Sequence, residues 1–139
     1  MSRRVVVFHS LDHARAALAA AAGAGVPLTL RTAPGAAAYA GAQYLKAIVD
    51  EAAAEHPGVA LTAVIDCGGD AGTAQGALRI GWKALGFSGP ENVRDKLADI
   101  AEQSGATLVT DDPDEEALDL LDRADAEAAC RAFLAGDAR

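Results

Sequence analysis

Short apolar runs alternate along this chain with longer, alanine-rich segments in which apolar residues recur at helical spacing. The short runs are rich in aliphatic and β-branched residues, which predicts strands, and the longer segments predict amphipathic helices. The five predicted strands cover residues 5–9, 26–32, 59–65, a short segment at Phe87 and residues 107–110. The five predicted helices cover residues 11–22 after a cap at Ser10, residues 36–55, residues 70–85, a segment from Pro90 to just before Gly105, and a last segment that Asp112 caps and that runs to Leu134. Strands that alternate with helices through short connections predict a parallel sheet with right-handed crossovers.

This order of elements predicts an α/β fold, as a single domain over residues 1–139 with about five β-α units around a parallel sheet. One architecture is an incomplete, TIM-barrel-like sheet, which a partner subunit would have to cover because a closed barrel needs eight units. The alternative is a flavodoxin-like, open, doubly wound sheet with helices on both faces. Residues 26–32 alternate between apolar and polar positions, so they suit a half-buried or edge strand.

Composition narrows the classes of partner. The 139 residues are 51% hydrophobic, which suffices for one compact core. A formal net charge of -8 argues against nucleic acids and anionic membranes as partners, because both require a basic face. No apolar run is long enough for a signal-peptide core or a membrane span, so a cytoplasmic location is the default expectation. Cys67 and Cys130 are expected to be reduced thiols, and the rings of Trp82, Tyr39 and Tyr44 are expected to pack in the core.

The stretch VALTAVIDCGGDAG, residues 59–72, carries the candidate chemistry. Ligands of parallel α/β sheets bind at the carboxyl ends of the strands, so Asp66 and Cys67 are the candidate catalytic residues. Gly68 and Gly69 are candidate ligand-binding residues, because exposed amides before a helix attract anions. The stretch matches neither the P-loop nor the dinucleotide-binding fingerprint. A tight strand-to-helix turn, with Asp66 bonded to turn amides or capping the next helix, is the structural alternative.

The three histidines do not suggest a metal centre. His9 ends the first predicted strand and is a candidate ligand-binding residue, whereas His13 falls on the first helix and His56 precedes the third strand. A catalytic zinc takes three protein ligands and an open position, and this set does not supply them. No cofactor is therefore predicted, with zinc as the lesser alternative.

One family resemblance covers about residues 5–90. The stretch VPLTLRTAPGAAAYAGAQYLKAIVDEAAAEHPGVAL, with AVIDCG and ALRIGWKALGF after it, resembles the second and third β-α units of class II, zinc-dependent fructose-bisphosphate-type aldolases. Its most specific parts are the turn at Gly35 and Asp66, and it implies a barrel in which Asp66 acts in proton transfer. Thr32 and Gly35, on either side of Ala33, are further candidate ligand-binding residues. Cys67 stands where the family has a metal-binding histidine, and Ala33 stands where it has a serine that contacts substrate phosphate.

Two hypotheses for the function follow. The first is a non-catalytic, aldolase-barrel-derived β-α domain that forms a homo-oligomer or binds a protein partner or a small phosphorylated or carboxylated metabolite. The second is a small lyase or isomerase that acts on a phosphorylated or carboxylated sugar and uses Asp66 as acid or base. The missing metal histidine favours the first hypothesis, and an enzyme, if there is one, is expected to be an aldolase-like lyase.

Overall fold

The computed structural model describes residues 4–109 and 115–136, which contain six strands and six helices. The strands are β1 (Arg4–Phe8), β2 (Leu28–Thr32), β3 (Leu61–Asp66), β4 (Ala84–Gly86), β5 (Thr107–Val109) and β6 (Glu116–Asp119). The helices are α1 (Leu11–Ala24), α2 (Ala36–Ala40), α3 (Ala42–Ala54), α4 (Ala71–Ile80), α5 (Glu91–Gln103) and α6 (Ala126–Leu134). Within these described ranges, no helix combines the length and the apolar character that crossing a membrane requires.

The strands form an all-parallel sheet in the order β5-β4-β3-β2-β1-β6, so the predicted α/β class with a parallel sheet is confirmed. From β1 to β5 the order across the sheet follows the order along the chain, as in a β-α barrel. It differs from the 2-1-3-4-5 order of the flavodoxin-like alternative. The alternating burial predicted for the second strand is confirmed, since Leu28, Leu30 and Thr32 are buried. Its suggested edge position is wrong, because β2 lies between β1 and β3.

Contacts between residues divide the chain into two compact units. In the described part of the chain, the first unit comprises residues 4–31, 48–62 and 115–136, and the second comprises residues 32–47 and 63–109. The single domain expected over residues 1–139 stays a prediction.

In the first unit, β1 pairs with β6, and α1 packs against α6 and β1. Ser10 caps α1 as predicted, since its Oγ accepts a hydrogen bond from His13 N at 3.2 Å. The helix ends at Gly25, whose φ of 68° lies in the left-handed region that glycine adopts most easily. The buried residues of α1 are Ala14, Ala17, Leu18, Ala20 and Ala21. Four of the five are alanines, whose small side chains allow α1 to pack closely against its neighbours.

In the second unit, β3, β4 and β5 pair in register, and α4 and α5 pack against each other. Asp70 caps the start of α4, and Gly81 is the cap at its end. Trp82 is buried as expected, and its indole Nε1 donates a hydrogen bond to Ala42 O at 2.9 Å. Tyr39 and Tyr44 are 72% and 60% exposed, so the expectation that their rings pack in the core is wrong.

Three predicted helices differ from the observed ones. The segment 36–55 is broken at Gly41, where φ of 91° and ψ of 134° interrupt the helix between α2 and α3. The segment 70–85 ends at Ile80, because the amide of Gly81 bonds to the last carbonyls of α4 and frees the chain to form β4.

The last predicted helix is wrong over its first half. Residues 116–119 form β6, which pairs with β1 and buries Leu118. The helix α6 starts after Asp125, whose carboxylate accepts from Ala128 N at 3.0 Å. The proposed cap at Asp112 lies outside the described residues.

Because β3 is an interior strand, replacing one of its buried residues tests how much the core contributes to stability. Ile65 has no exposed surface and pairs with Leu85 of β4, so Ile65→Ala should lower the free energy of unfolding by about 2–5 kcal/mol. Thr62→Ala changes an exposed position of the same strand and should cost under about 1 kcal/mol. Urea denaturation followed by circular dichroism measures both, and equal costs would contradict the assigned burial.

Candidate functional site

The carboxylate of Asp66 joins two loops of the second unit at the carboxyl ends of β2 and β3. Its Oδ1 accepts hydrogen bonds from Gly35 N at 2.8 Å and from Gly68 N at 2.9 Å. The amide of Asp66 donates in turn to Thr32 Oγ1 at 2.9 Å, and Thr32 is 1% exposed. The structure thus brings together four of the predicted site residues. It also confirms the alternative in which Asp66 bonds to turn amides.

Two of these residues are glycines for a conformational reason. Gly35 has φ of 68° and Gly68 has φ of 58°, a region that residues with a Cβ atom adopt with strain. A Cβ atom on Gly68 would lie 3.8 Å from Gly35 Cα, which is an ordinary contact. Glycine is therefore favoured at position 68 by the backbone conformation and not by a lack of space for a side chain.

A third loop, which follows β4, lies against the loop that follows β3. Ser88 N donates to Gly68 O at 2.8 Å, and a Cβ atom on Gly69 would be 3.7 Å from Gly89 Cα. A Cβ atom on Gly89 would clash with the ring of Phe87. We call Gly35, Gly68, Gly69 and Gly89 the glycine cluster. It brings the loops after three neighbouring strands together at the edge where parallel sheets bind ligands.

Cys67 lies beside this cluster, but its thiol is buried. Its amide donates to Gly86 O at 2.9 Å, and the residue is 1% exposed. Burial, with smaller contributions from the carboxylates of Asp66 and Asp70, raises the pKa of Cys67 to about 12. A thiol with that pKa is protonated at neutral pH, and the thiolate is the nucleophile. The environment therefore argues against the predicted catalytic role of Cys67.

The start of α4 is occupied by its own cap. Asp70 Oδ1 accepts from Gly72 N at 2.8 Å and from Thr73 N at 3.2 Å. These amides are the ones that an anion would use at a helix N-terminus. The geometry supports the structural alternative for this turn, a tight connection between strand and helix.

Arg94 is a positively charged residue of the second unit that sequence analysis did not identify as a site residue. This residue of α5 donates from Nη1 to Phe87 O at 3.0 Å and from Nη2 to Val109 O at 3.3 Å. These carbonyls lie at the ends of β4 and β5, so the guanidinium stands at the carboxyl edge. A single arginine on an amphipathic helix is common, so the sequence pattern alone does not indicate that it reaches the carboxyl edge.

His9 belongs to the first unit and has a different set of partners. Its Nε2 lies 2.6 Å from Asp119 Oδ1, and its backbone amide donates to His13 Nδ1 at 3.0 Å. Asp119 Oδ1 also accepts from Leu121 N at 2.9 Å. Sequence reasoning missed Asp119 because the segment that contains β6 was predicted to be helical.

The surroundings set the charge states of this group. Burial and the neighbouring His9 lower the pKa of His13, and they outweigh the carboxylates of Asp119 and Asp12, which act to raise it. Partial burial by itself would raise the pKa of Asp119, but the hydrogen bonds from Leu121 N and His9 outweigh it and lower that pKa. Asp119 is therefore a carboxylate and His13 a neutral imidazole at neutral pH.

The first unit also contains a cleft of about 550 Å³ near the ends of α1 and α3. Gly25, Pro27, Glu55, His56 and Val59 are among its lining residues. It lies before β2 and β3, and the carboxyl ends of strands are the usual ligand edge of parallel sheets. The cleft does not include any of the predicted site residues.

Neither metal geometry nor comparison with known proteins assigns a function. Within residues 4–109 and 115–136, no group of three or more His, Cys, Asp or Glu side chains is arranged to hold a metal ion. No protein-family model matches the chain, and no curated protein is significantly similar to it. The resemblance to class II aldolases stays a prediction.

The buried thiols predict slow alkylation of the native protein. Burial, with a smaller contribution from Glu127, raises the pKa of Cys130 to about 11, so neither cysteine carries an appreciable thiolate fraction at pH 7.5. Iodoacetamide should leave both cysteines largely unmodified in the native protein and should modify both in urea, as measured by intact mass. Rapid native alkylation of Cys67 would contradict its assigned environment.

The two bonds to Asp66 Oδ1 predict a specific pattern of stability. Asp66→Ala leaves the amides of Gly35 and Gly68 without this acceptor and should cost about 2–4 kcal/mol of unfolding free energy. Asp66→Asn keeps an oxygen acceptor and should cost less. Asp70→Asn is the matched control, because asparagine caps helices as well as aspartate does. Urea denaturation that finds Asp66→Ala no more costly than Asp70→Asn would contradict the role of Asp66 in holding the loops.

Proposed function

We propose that this chain is a non-catalytic β-α domain, related to the aldolase barrels, that self-associates and binds a small phosphorylated or carboxylated metabolite at the glycine cluster. The observation that carries the proposal is the pair of hydrogen bonds from Gly35 N and Gly68 N to Asp66 Oδ1. They give Asp66 a structural role that accounts for its position without proton transfer.

The surroundings of Asp66 support a binding role over catalysis. Cys67 is a protonated, buried thiol in the position where the aldolases have a metal-binding histidine. Ala33 offers no hydroxyl in the position of the phosphate-binding serine. The side chains that the aldolase reaction needs at these two positions are replaced by groups that cannot perform it.

Arg94 and the glycine cluster support an anionic ligand. A guanidinium has five N–H donors, and the bonds of Arg94 to Phe87 O and Val109 O leave donors for a phosphate or carboxylate. The glycines allow a ligand to approach the backbone closely, because no Cβ atoms intervene. A small anion at the carboxyl edge of β3 and β4 fits this combination.

Two exposed aromatic residues support self-association. Tyr39 on α2 and Tyr44 on α3 are 72% and 60% exposed, and tyrosine is enriched in the buried centres of protein interfaces. Both belong to the second unit. The acidic net charge of -8 favours neither a nucleic acid nor an anionic membrane as the partner.

The second candidate is a small lyase or isomerase that uses Asp66 as acid or base. One observation favours it: Asp66 is only half buried and ends an interior strand, where barrel enzymes hold catalytic residues. This candidate requires turnover of a phosphorylated or carboxylated sugar that Asp66→Asn abolishes while the fold stays intact.

A ligand screen separates the two functions. Chelator-treated protein is tested by thermal shift against phosphorylated and carboxylated sugars, with and without zinc, and each compound is checked for conversion by NMR. We expect a zinc-independent stabilisation without conversion, of about 2.7 kcal/mol at a hundredfold excess over the dissociation constant. Arg94→Gln should weaken binding by about tenfold, the loss of one charge-assisted hydrogen bond.

Arg79→Gln is the matched control for this screen, because Arg79 is an exposed arginine in the last turn of α4. It should bind like the wild type. Light scattering of the same samples should give a mass above that of the 14.1 kDa chain. A zinc-dependent shift with conversion would support the enzyme instead, and a monomer that binds none of the compounds would contradict the proposal.

A further inference from the structure

The group formed by His9, His13 and Asp119 lies where three elements of the first unit meet. His9 follows β1, Asp119 ends β6, and His13 is in the first turn of α1. Val7 pairs with Asp119 in the sheet, and Leu120 N donates to Val7 O at 3.1 Å, so the two strand ends are adjacent. The two imidazole rings stand edge to face with centroids 5.7 Å apart.

The contacts assign a proton to each ring. His13 Nδ1 accepts the amide of His9, so this nitrogen is unprotonated and the proton of the neutral ring is on Nε2. His9 Nε2 donates to the carboxylate of Asp119, whose Oδ1 also receives Leu121 N. His13 Nδ1 can accept the His9 amide only while the ring of His13 is neutral, so the arrangement depends on a neutral His13.

We propose that His9, His13 and Asp119 form a pH-sensitive latch that holds the end of β1 against the start of α1 at neutral pH and releases it in mildly acidic solution. The decisive contact is the bond from His9 N to His13 Nδ1 at 3.0 Å. A proton on Nδ1 removes the acceptor and places an N–H group against the amide of His9. It also places positive charge beside the second ring.

The groups around His13 determine the direction of this response. Burial and His9 oppose a proton on His13, whereas Asp119 from β6 and Asp12 from α1 favour it, and the net effect is a lowered pKa. On α6, which packs against α1, Glu127 pairs with Arg131 at 3.2 Å. On the side of α3, Glu55 pairs with Arg15 of α1 at 2.9 Å. These outer charges are paired with each other, so His9, Asp119 and Asp12 are the groups that act on the His13 ring.

The sign of the pH dependence follows from linkage. The pKa of His13 is lower in the folded protein than its ordinary value of 6.5, so the unfolded chain binds this proton more readily. The contribution of His13 to stability is complete above pH 6.5 and is lost as the pH falls below it. The lowered pKa of Asp119 acts only below its ordinary value of 3.8, outside this range.

The test measures the protection of the His9 amide from hydrogen exchange by NMR at pH 7.5 and 5.0, corrected for the intrinsic rate. In the wild type, protection should fall by about fivefold or more at the lower pH, the factor for one lost hydrogen bond. His13→Asn places a carbonyl oxygen that does not titrate near the position of Nδ1, so protection should be similar at both pH values. His13→Ala should be unprotected at both.

His56→Asn is the control, because His56 lies outside the latch and should leave the wild-type response unchanged. A wild-type protection that does not change with pH would overturn the latch. An equal fall in protection of the His9 amide in His13→Asn would also overturn it. The response would then come from His9 or from a general loss of stability in acid.

Discussion

The hydrogen bonds from two loop amides to one carboxylate oxygen of Asp66 are the interaction on which the carboxyl edge of the second unit depends. Backbone amides that leave water must find an acceptor, and the loops after β2 and β3 find the same one. Because both amides belong to glycines with positive φ, the loops can bring them to that oxygen without strain. The glycine cluster, the buried Cys67 thiol and the proposed ligand site are all arranged around this point.

The same use of carboxylates recurs elsewhere and gives the acidic composition a structural meaning. Asp70 and Asp125 cap helices, and Asp119 accepts the amide of Leu121 at the end of β6. Each satisfies a backbone donor where a regular element begins or ends. Part of the net charge of -8 therefore serves local turns. A strongly acidic sequence of this kind does not by itself indicate a cationic ligand or partner.

Hydrophobic periodicity predicted the α/β class, because strands and helices that bury one face need apolar residues at different, characteristic spacings. It also predicted the Ser10 cap and the end of β3 at Asp66, which depend on nearby residues alone. It failed for β6. Residues 116–119 have a weak strand pattern and precede a true helix, and only pairing with β1 makes them a strand. Asp119, the partner of His9, was missed because it belongs to that strand.

The sequence by itself determined the type of each strongly periodic segment, the glycine turns and the place of Asp66, since these follow from local conformational preference and hydrophobic pattern. The tertiary structure decided the strand order, the partners of His9 and the position of Arg94 at the carboxyl edge. It also decided that Cys67 is a buried, protonated thiol and that Tyr39 is exposed. Burial, pKa and side-chain pairing depend on residues distant along the chain, and no local pattern encodes which of them will meet.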